Sequence, residues 1–267
     1  MSSIALDALQ KDSELRTQTD KKLSSAWILL PIATIVIEIA IATFTFFSVL
    51  SQLNCISSSA CTVPASTAYN AFGGFTSVVG VGLVAQIINI YFFYMLIRRR
   101  NQHFPRQQRF ASDLITVLRG AANKKSTNID LLLGSMENSL RRSQVEEDEK
   151  SAVLWVILML VPVVNLFALL YIFYFLTGDF YKHERWEDGM LSDIERAMSA
   201  LGVQFVFHRD DPIPHRSYVL YLLVTIITVG IFGLYWEYTL IADPNKHFAH
   251  HAVFEPAIIQ AITPLAS

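Results

Sequence analysis

The chain has 267 residues and a net charge of −2, with 52% hydrophobic residues and only 16% charged residues. Soluble domains carry roughly 25% charged residues, so this composition argues against a wholly soluble protein. A near-neutral charge also lacks the basic excess that favours nucleic-acid binding, and we expect no nucleic acid among the partners.

Four long apolar segments predict membrane-spanning helices. Each has about 24 residues or more, which suffices to cross a hydrocarbon core ~30 Å thick at ~1.5 Å per residue. The sequence therefore predicts an all-α polytopic transmembrane protein, surrounded by membrane lipids in the plasma membrane. The four segments are 27–50, 71–97, 152–176 and 218–241.

Basic residues predict how the first two segments are oriented. Lys21 and Lys22 precede the first segment and 98–100 are three arginines after the second, while the connection 51–70 has no charge. The positive-inside rule therefore places the N-terminus in the cytoplasm and the 51–70 connection outside. In that loop Cys55 and Cys61 could form a disulfide, or remain two free thiols.

The more polar stretches predict three amphipathic helices. The first begins near Pro105 and ends near Gly120, the second begins after Asn128, and the third spans 187–201 with Gly202 as its stop. The predicted organisation begins with a cytosolic N-terminal segment (1–26), a first transmembrane pair (27–97) and a cytosolic basic helical pair (98–150). A second transmembrane pair containing the third amphipathic helix (151–241) and a C-terminal amphipathic segment (242–267) follow.

Three stretches of the chain align with one another without gaps. The stretches 91–118, 171–198 and 235–262 each begin Tyr-x-x-Tyr-x-Leu, and each has a histidine at the same offset. This pattern predicts an internal threefold repeat of a membrane helix followed by an amphipathic helix. The three histidines are His103, His183 and His247.

The repeat and a simple topology predict different sides for the helix at 187–201. Four crossings place this helix outside, whereas a repeat favours one side for all three amphipathic helices. The latter requires 152–176 and 218–241 to be re-entrant hairpins, bent at Pro162 and at Gly230 or Gly233. Trp155 and Tyr171 would lie ~24 Å apart on one helix, about one bilayer core. We therefore expect four crossings.

The segment 228–238 reads Thr-Val-Gly-Ile-Phe-Gly-Leu-Tyr-Trp-Glu-Tyr. It resembles an uncharacterised family of prokaryotic membrane proteins whose apolar segments carry Thr-x-Gly-Ile-Tyr/Phe-x-x-Tyr-Trp. Phe232 stands where tyrosine is usual, and the match covers about a tenth of the chain. The resemblance implies a prokaryotic plasma-membrane protein of unknown function and transfers no catalytic residue.

Glu38 lies in the middle of the first apolar segment, where a carboxylate is costly and suggests a function. Three polar residues in the other segments could reach it, namely Gln86, Asn165 and Thr228. A protonated Glu38 would join helices through hydrogen bonds, whereas a titrating Glu38 could carry a proton or a cation.

The histidines outside the apolar segments suggest a weaker site. His247 and His251, with Glu255, occur at helical spacing and could bind a metal, although a polar surface beside the membrane is the simpler explanation. No nucleotide-binding loop, serine-hydrolase elbow or zinc-protease motif occurs. We therefore expect no catalytic residue and no cofactor.

These features lead to one functional hypothesis and two alternatives. The leading hypothesis is a non-enzymatic membrane scaffold, or a subunit of a larger membrane assembly, that binds protein partners, its own copies or lipid through its amphipathic helices. The first alternative is a transporter or channel component that uses Glu38. The second is a redox or metal-binding membrane subunit.

Overall fold

The computed structural model describes residues 2–56 and 65–266, and these residues form helices without any strand. A short 3-10 helix, Ser25–Ile28, follows the first α-helix. The α-helices are α1 Ser2–Thr19, α2 Leu29–Ile56, α3 Ala65–Lys125, α4 Asp130–Glu146, α5 Ala152–Met159, α6 Val164–Ala200, α7 Tyr218–Ile227 and α8 Ile231–Ala266.

The chain divides into a smaller unit, Ser25–Phe93, and a larger unit formed by Met1–Ser24 and Tyr94–Ser267. In the smaller unit, Trp27 packs against Tyr91 and Phe92 with ring centroids 5.9 and 6.2 Å away. Among the described residues, three helices are long and apolar enough to cross a membrane. They lie at Ser25–Leu50, Val79–Lys125 and Val164–Ala200.

The predicted amphipathic helices are mostly continuations of the apolar helices. Helix α3 runs through both Pro105 and Gly120, so the predicted helix start and stop at these residues are wrong. A proline inside a helix costs about 3 kcal/mol, and burial of the adjacent Phe104 contributes in the opposite direction. The predicted stop at Gly202 is confirmed, because α6 ends at Ala200 and Gly202 has φ +77°.

The apolar segments 152–176 and 218–241 each fold back on themselves as a helical hairpin. Helix α5 turns into α6 at 160–163, where Val163 has φ +67°, and α7 turns into α8 at 228–230, where Gly230 has φ +90°. The expected ~24 Å separation of Trp155 and Tyr171 is wrong, because their rings stack with centroids 4.7 Å apart. Four crossings are thus not confirmed, and the bends occur at the alternative positions, Pro162 and Gly230.

The apolar faces of α1, α4 and the C-terminal parts of α3, α6 and α8 share one core. It includes the face predicted from the sequence, Phe110, Leu114, Val117 and Leu118, all of which are buried. Helix α1, which the sequence reasoning left unassigned, contributes Leu9 to this core. The core residues contributed by α4, α6 and α8 include Leu133, Met136, Leu191, Ile194, Met198, Phe254, Ile258 and Ile262.

Helix α8 passes Pro244 just before it reaches His247. A proline has no N–H for the carbonyl four residues earlier, which leaves the Leu240 oxygen without its helical donor. The buried Arg99 side chain donates to that oxygen and also bonds the Asn245 side chain at 3.2 Å. This contact fixes α8 against α3 at the level where both helices present histidines.

Candidate metal centre

Four buried histidines meet where α3, α6 and α8 enter the bundle. They are His103 on α3, His183 on α6, and His247 and His251 on α8, and each side chain is at most 4% exposed. One nitrogen from each ring lies within 4.8 Å of the corresponding nitrogens of the other three. Helices α3, α6 and α8 thus place four imidazoles around one point.

The three histidines that share an offset in the sequence form an almost equilateral triangle. The ring centroids of His103, His183 and His247 lie 5.1, 5.0 and 5.2 Å apart, at interplanar angles between 75° and 84°. His251 is one helical turn beyond His247, with ring centroids 4.4 Å apart, and it supplies the fourth ring. An internal threefold repeat stays a prediction, but its three histidines do come together.

Each of the four histidines has its own carboxylate behind it. The Nδ1 atom lies 2.8 Å from Asp20 in His103, 2.8 Å from Glu147 in His183, 3.2 Å from Glu184 in His247 and 2.7 Å from Glu255 in His251. A carboxylate at Nδ1 fixes the ring and directs the other nitrogen, Nε2, as a ligand. This carboxylate–histidine pairing is the usual support of histidine metal ligands.

The Nε2 atoms of His103, His247 and His251 face one another. The Nε2 of His247 lies 3.1 Å from that of His103 and 2.9 Å from that of His251. The Nε2 of His183 is buried without a hydrogen-bond partner among the described residues. Where Nδ1 donates to the carboxylate behind the ring, as in His103 and His247, Nε2 carries a lone pair, and two lone pairs 3.1 Å apart repel unless a cation lies between them. Metal–imidazole bonds of about 2.0–2.1 Å place tetrahedral ligands roughly 3.4 Å apart, within the range seen here.

His251 differs from the other three because both of its nitrogens meet carboxylates. Its Nε2 lies 2.9 Å from Glu187, in addition to the Nδ1 contact with Glu255. Burial alone lowers the pKa of His251, but these two carboxylates outweigh burial and raise it to about 9. Burial and the neighbouring His251 hold the pKa of His247 well below its usual value. The protonated His251 therefore supplies the positive charge at the position where a metal ion would bind.

Negative charge exceeds positive charge around the histidines. Five buried carboxylates, those of Asp20, Glu147, Glu184, Glu187 and Glu255, surround the four rings. Three guanidinium groups compensate them in part: Arg106 binds Asp20 and Glu255, Arg209 binds Glu184 and Glu187, and Arg16 lies 3.8 Å from Glu255. Buried charges are tolerated only when they are balanced; once His251 gives up its extra proton, as a metal ligand must, two negative charges are in excess, and a divalent cation would offset them.

A small cavity between α3, α4 and α6 reaches the edge of the histidine cluster. Its volume is about 20 Å³, enough for one water molecule, and its lining includes His183, Glu187, Gln107 and Trp186. His183, whose Nε2 has no hydrogen-bond partner among the described residues, therefore borders a space that can hold one water molecule.

The polar residues predicted to act inside the membrane belong to the smaller unit and to the two hairpins of the larger unit. Glu38 and Gln86 are half-buried in the smaller unit. Asn165 and Thr228 lie at the bends of the two hairpins, where the Thr228 hydroxyl donates to the Val224 carbonyl and accepts from the Phe232 N–H. The side chains of Cys55 and Cys61 lie outside the described residues, so their disulfide stays a prediction.

The sequence analysis found His247, His251 and Glu255, but it did not join them to His103 and His183. It also missed Asp20, Glu147 and Glu184, which approach from three different segments. The one signal in the sequence was the common offset of three histidines in the aligned stretches. Glu255 takes a different role from the predicted one, because it holds His251 and Arg106.

Comparison of the chain with family models, curated proteins and solved structures gives no match.

Proposed function

We propose that the chain is a membrane protein whose function depends on a divalent first-row transition metal, held by His103, His183, His247 and His251. The observation that carries this proposal is that four buried histidines each have a carboxylate at Nδ1 and direct Nε2 to a common point. Imidazole nitrogen suits Zn²⁺, Cu²⁺, Fe²⁺ and Ni²⁺, and four such ligands within tetrahedral reach favour Zn²⁺ as the first ion to test.

The bound metal would act as a clamp on the larger unit. It would bind α3, α6 and α8 directly, while the carboxylates behind the rings extend the clamp to Asp20 after α1 and to Glu147 at the end of α4. Five segments that are far apart in the sequence would therefore be held at one point, and binding would stabilise their packed arrangement. This proposal develops the metal-binding alternative in the sequence analysis and replaces the expectation that no cofactor is needed.

The amphipathic faces that suggested a scaffold supply the core of the bundle instead. Phe110, Leu114 and Val117 are each at most 1% exposed within this one chain. These faces are therefore not free to bind partners, and the scaffold hypothesis stays a prediction that they do not support.

Metal titration of the purified, detergent-solubilised protein tests the proposal. We expect one Zn²⁺ per chain by elemental analysis, and a Co²⁺-substituted form with the intense visible absorption of four-coordinate nitrogen ligation. His183→Ala should lower the Zn²⁺ affinity more than about 100-fold, because even loss of a supporting carboxylate costs about 10–100-fold. Circular dichroism would establish that the variant remains helical.

His250→Ala is the matched control. His250 is adjacent to His251 on α8 but is only half-buried and lies outside the four-histidine cluster. Its substitution should leave the stoichiometry and the affinity unchanged. Equal Zn²⁺ binding by the wild type and the His183→Ala variant would refute the proposed centre.

A further inference from the structure

We propose that the α5–α6 and α7–α8 hairpins insert together into one leaflet of the bilayer, from the side on which the histidine cluster lies, and do not reach the opposite surface. Their partner is thus the acyl-chain layer of a single phospholipid leaflet. This proposal goes beyond metal binding and does not depend on it, because it rests only on the two hairpins and their polar ends.

The first hairpin starts and ends at the same polar level. Arg100 donates to the Asp179 carboxylate at 2.6 Å and to the Asp148 carbonyl at 2.8 Å, and Asn101 donates to the Lys150 carbonyl at 2.6 Å. Lys150 directly precedes the hairpin, and Asp179 follows its apolar part. A segment whose two ends meet the same side chains has not crossed a bilayer.

The second hairpin is closed at its base in the same manner. Arg216, just before α7, makes two hydrogen bonds to Asp243 on α8, at 2.6 and 3.0 Å. Arg216 also donates to the Tyr221 hydroxyl at 2.7 Å. A part-buried ion pair at the base and an apolar hairpin above it are the arrangement expected at a membrane–water boundary.

The hairpins are too short to span a bilayer. Helix α5 has 8 residues and α7 has 10 residues, which correspond to about 12 and 15 Å, whereas the hydrocarbon core is about 30 Å thick. Their height therefore matches a single leaflet.

The two hairpins pack side by side as one apolar body. Trp236 of α8 donates its indole N–H to the Thr177 hydroxyl of α6 at 2.8 Å, and its ring lies 4.6 Å from that of Phe173. Near the base, Tyr174 and Tyr218 contact each other with centroids 5.4 Å apart. The hairpins thus present a common outer surface to their surroundings.

The side chains on that surface fit a membrane–water boundary at the bases of the hairpins and none at their tips. Tryptophan and tyrosine prefer the membrane–water boundary, and a crossing helix carries them at both ends. The hairpin tips 159–166 and 226–232 contain neither residue. Their large apolar side chains are instead strongly exposed: Leu160, Val163, Leu166, Ile226, Ile227, Val229 and Ile231.

The second tip also satisfies its own backbone, as a turn surrounded by lipid must. The N–H groups of Val229, Gly230 and Ile231 donate to carbonyls of Ile226, Thr225 and Thr228 at 3.1, 2.8 and 3.2 Å. The next N–H, that of Phe232, donates to the Thr228 hydroxyl at 3.0 Å. Thr228 is therefore a structural residue of a turn within the leaflet.

Single-cysteine variants test the depth of the tips. Val163→Cys and Val229→Cys are introduced with Cys55→Ser and Cys61→Ser, and Val145→Cys on α4 provides a control of similar exposure. A membrane-impermeant maleimide is then applied to right-side-out and inside-out vesicles. We expect Val145→Cys to react in one orientation only, and both tip cysteines to react in neither.

A fluorophore on the same cysteines measures depth directly. In vesicles of lipids brominated at defined acyl positions, both tips should be quenched most by bromines near the chain ends, and the Val145→Cys label by none. Leu160→Cys and Ile227→Cys repeat the measurement if one tip variant is unstable. Maleimide reaction of a tip from the side opposite Val145→Cys would show full crossing, and reaction from the same side would show that the hairpins lie outside the lipid; either result overturns the proposal.

Discussion

The apolar core and the histidine cluster of the larger unit share helices α3, α6 and α8 but are stabilised by opposite means. The core surrounds Leu114 and Met136, which are almost fully buried among other apolar side chains. The cluster, a few turns away on α3, α6 and α8, consists of buried groups that each require a polar or charged partner. Burial alone stabilises the first region, whereas the second is stable only when its charges are balanced.

The largest expected effect comes from placing a charge in the apolar core. Leu114→Asp loses buried apolar contacts, which costs about 2–5 kcal/mol for truncation alone, and also buries an unpaired carboxylate. We expect at least about 5 kcal/mol of destabilisation in denaturant unfolding, with or without Zn²⁺. The control is Leu131→Asp, because Leu131 on α4 is 89% exposed and should tolerate the charge.

Removing the metal is expected to have the next largest effect, and it should act on the cluster only. Zn²⁺ at about 1,000 times its dissociation constant stabilises the folded state by about 4 kcal/mol. Chelation should therefore lower the melting temperature of the wild-type protein and leave that of His183→Ala unchanged. A wild-type melting temperature that is indifferent to Zn²⁺ would mean that the cluster, like the core, is stable without a cation.

Substitution of a supporting carboxylate tests the positioning of the rings separately from metal ligation. Glu147 accepts from His183 Nδ1 and from the Gln108 amide. Glu147→Gln should weaken Zn²⁺ binding about 10–100-fold while the stoichiometry stays at one per chain. The neighbouring Glu146 is exposed, so Glu146→Gln should not change the titration. Equal affinities for the two variants would exclude a role for the carboxylates behind the rings.

The smallest expected effect lies in the hairpin tip, remote from both regions. Gly230→Ala forces a side chain into φ +90°, at a cost of about 1–3 kcal/mol. Gly233→Ala in the same tip is a control, because Gly233 is helical and an added Cβ would meet only an ordinary 3.5 Å contact with Thr225. The free energy of unfolding should decrease for Gly230→Ala alone, while both variants keep the wild-type Zn²⁺ affinity. A changed affinity would indicate that the tip and the cluster are coupled.

Residues whose burial follows from helical spacing were predicted well from the sequence. The apolar face of Phe110, Leu114 and Val117 follows from helical spacing alone, and it is buried as expected. The two apolar hairpins were harder to predict, because a run of about 24 apolar residues has the same composition whether it crosses or folds back. Pro162 and Gly230 marked both bends, but a proline or a glycine also occurs inside continuous helices, as Pro105 does in α3.

The amino-acid sequence by itself determined a helical chain with membrane-compatible segments, the amphipathic faces and the common offset of three histidines, because each of these properties depends on neighbours along the chain. Only the tertiary structure decided that His103, His183 and His247 meet, since they are 80 and 64 residues apart. It also decided which carboxylate faces which ring: Asp20 and Glu147 reach the histidines through helix packing, which no local pattern encodes.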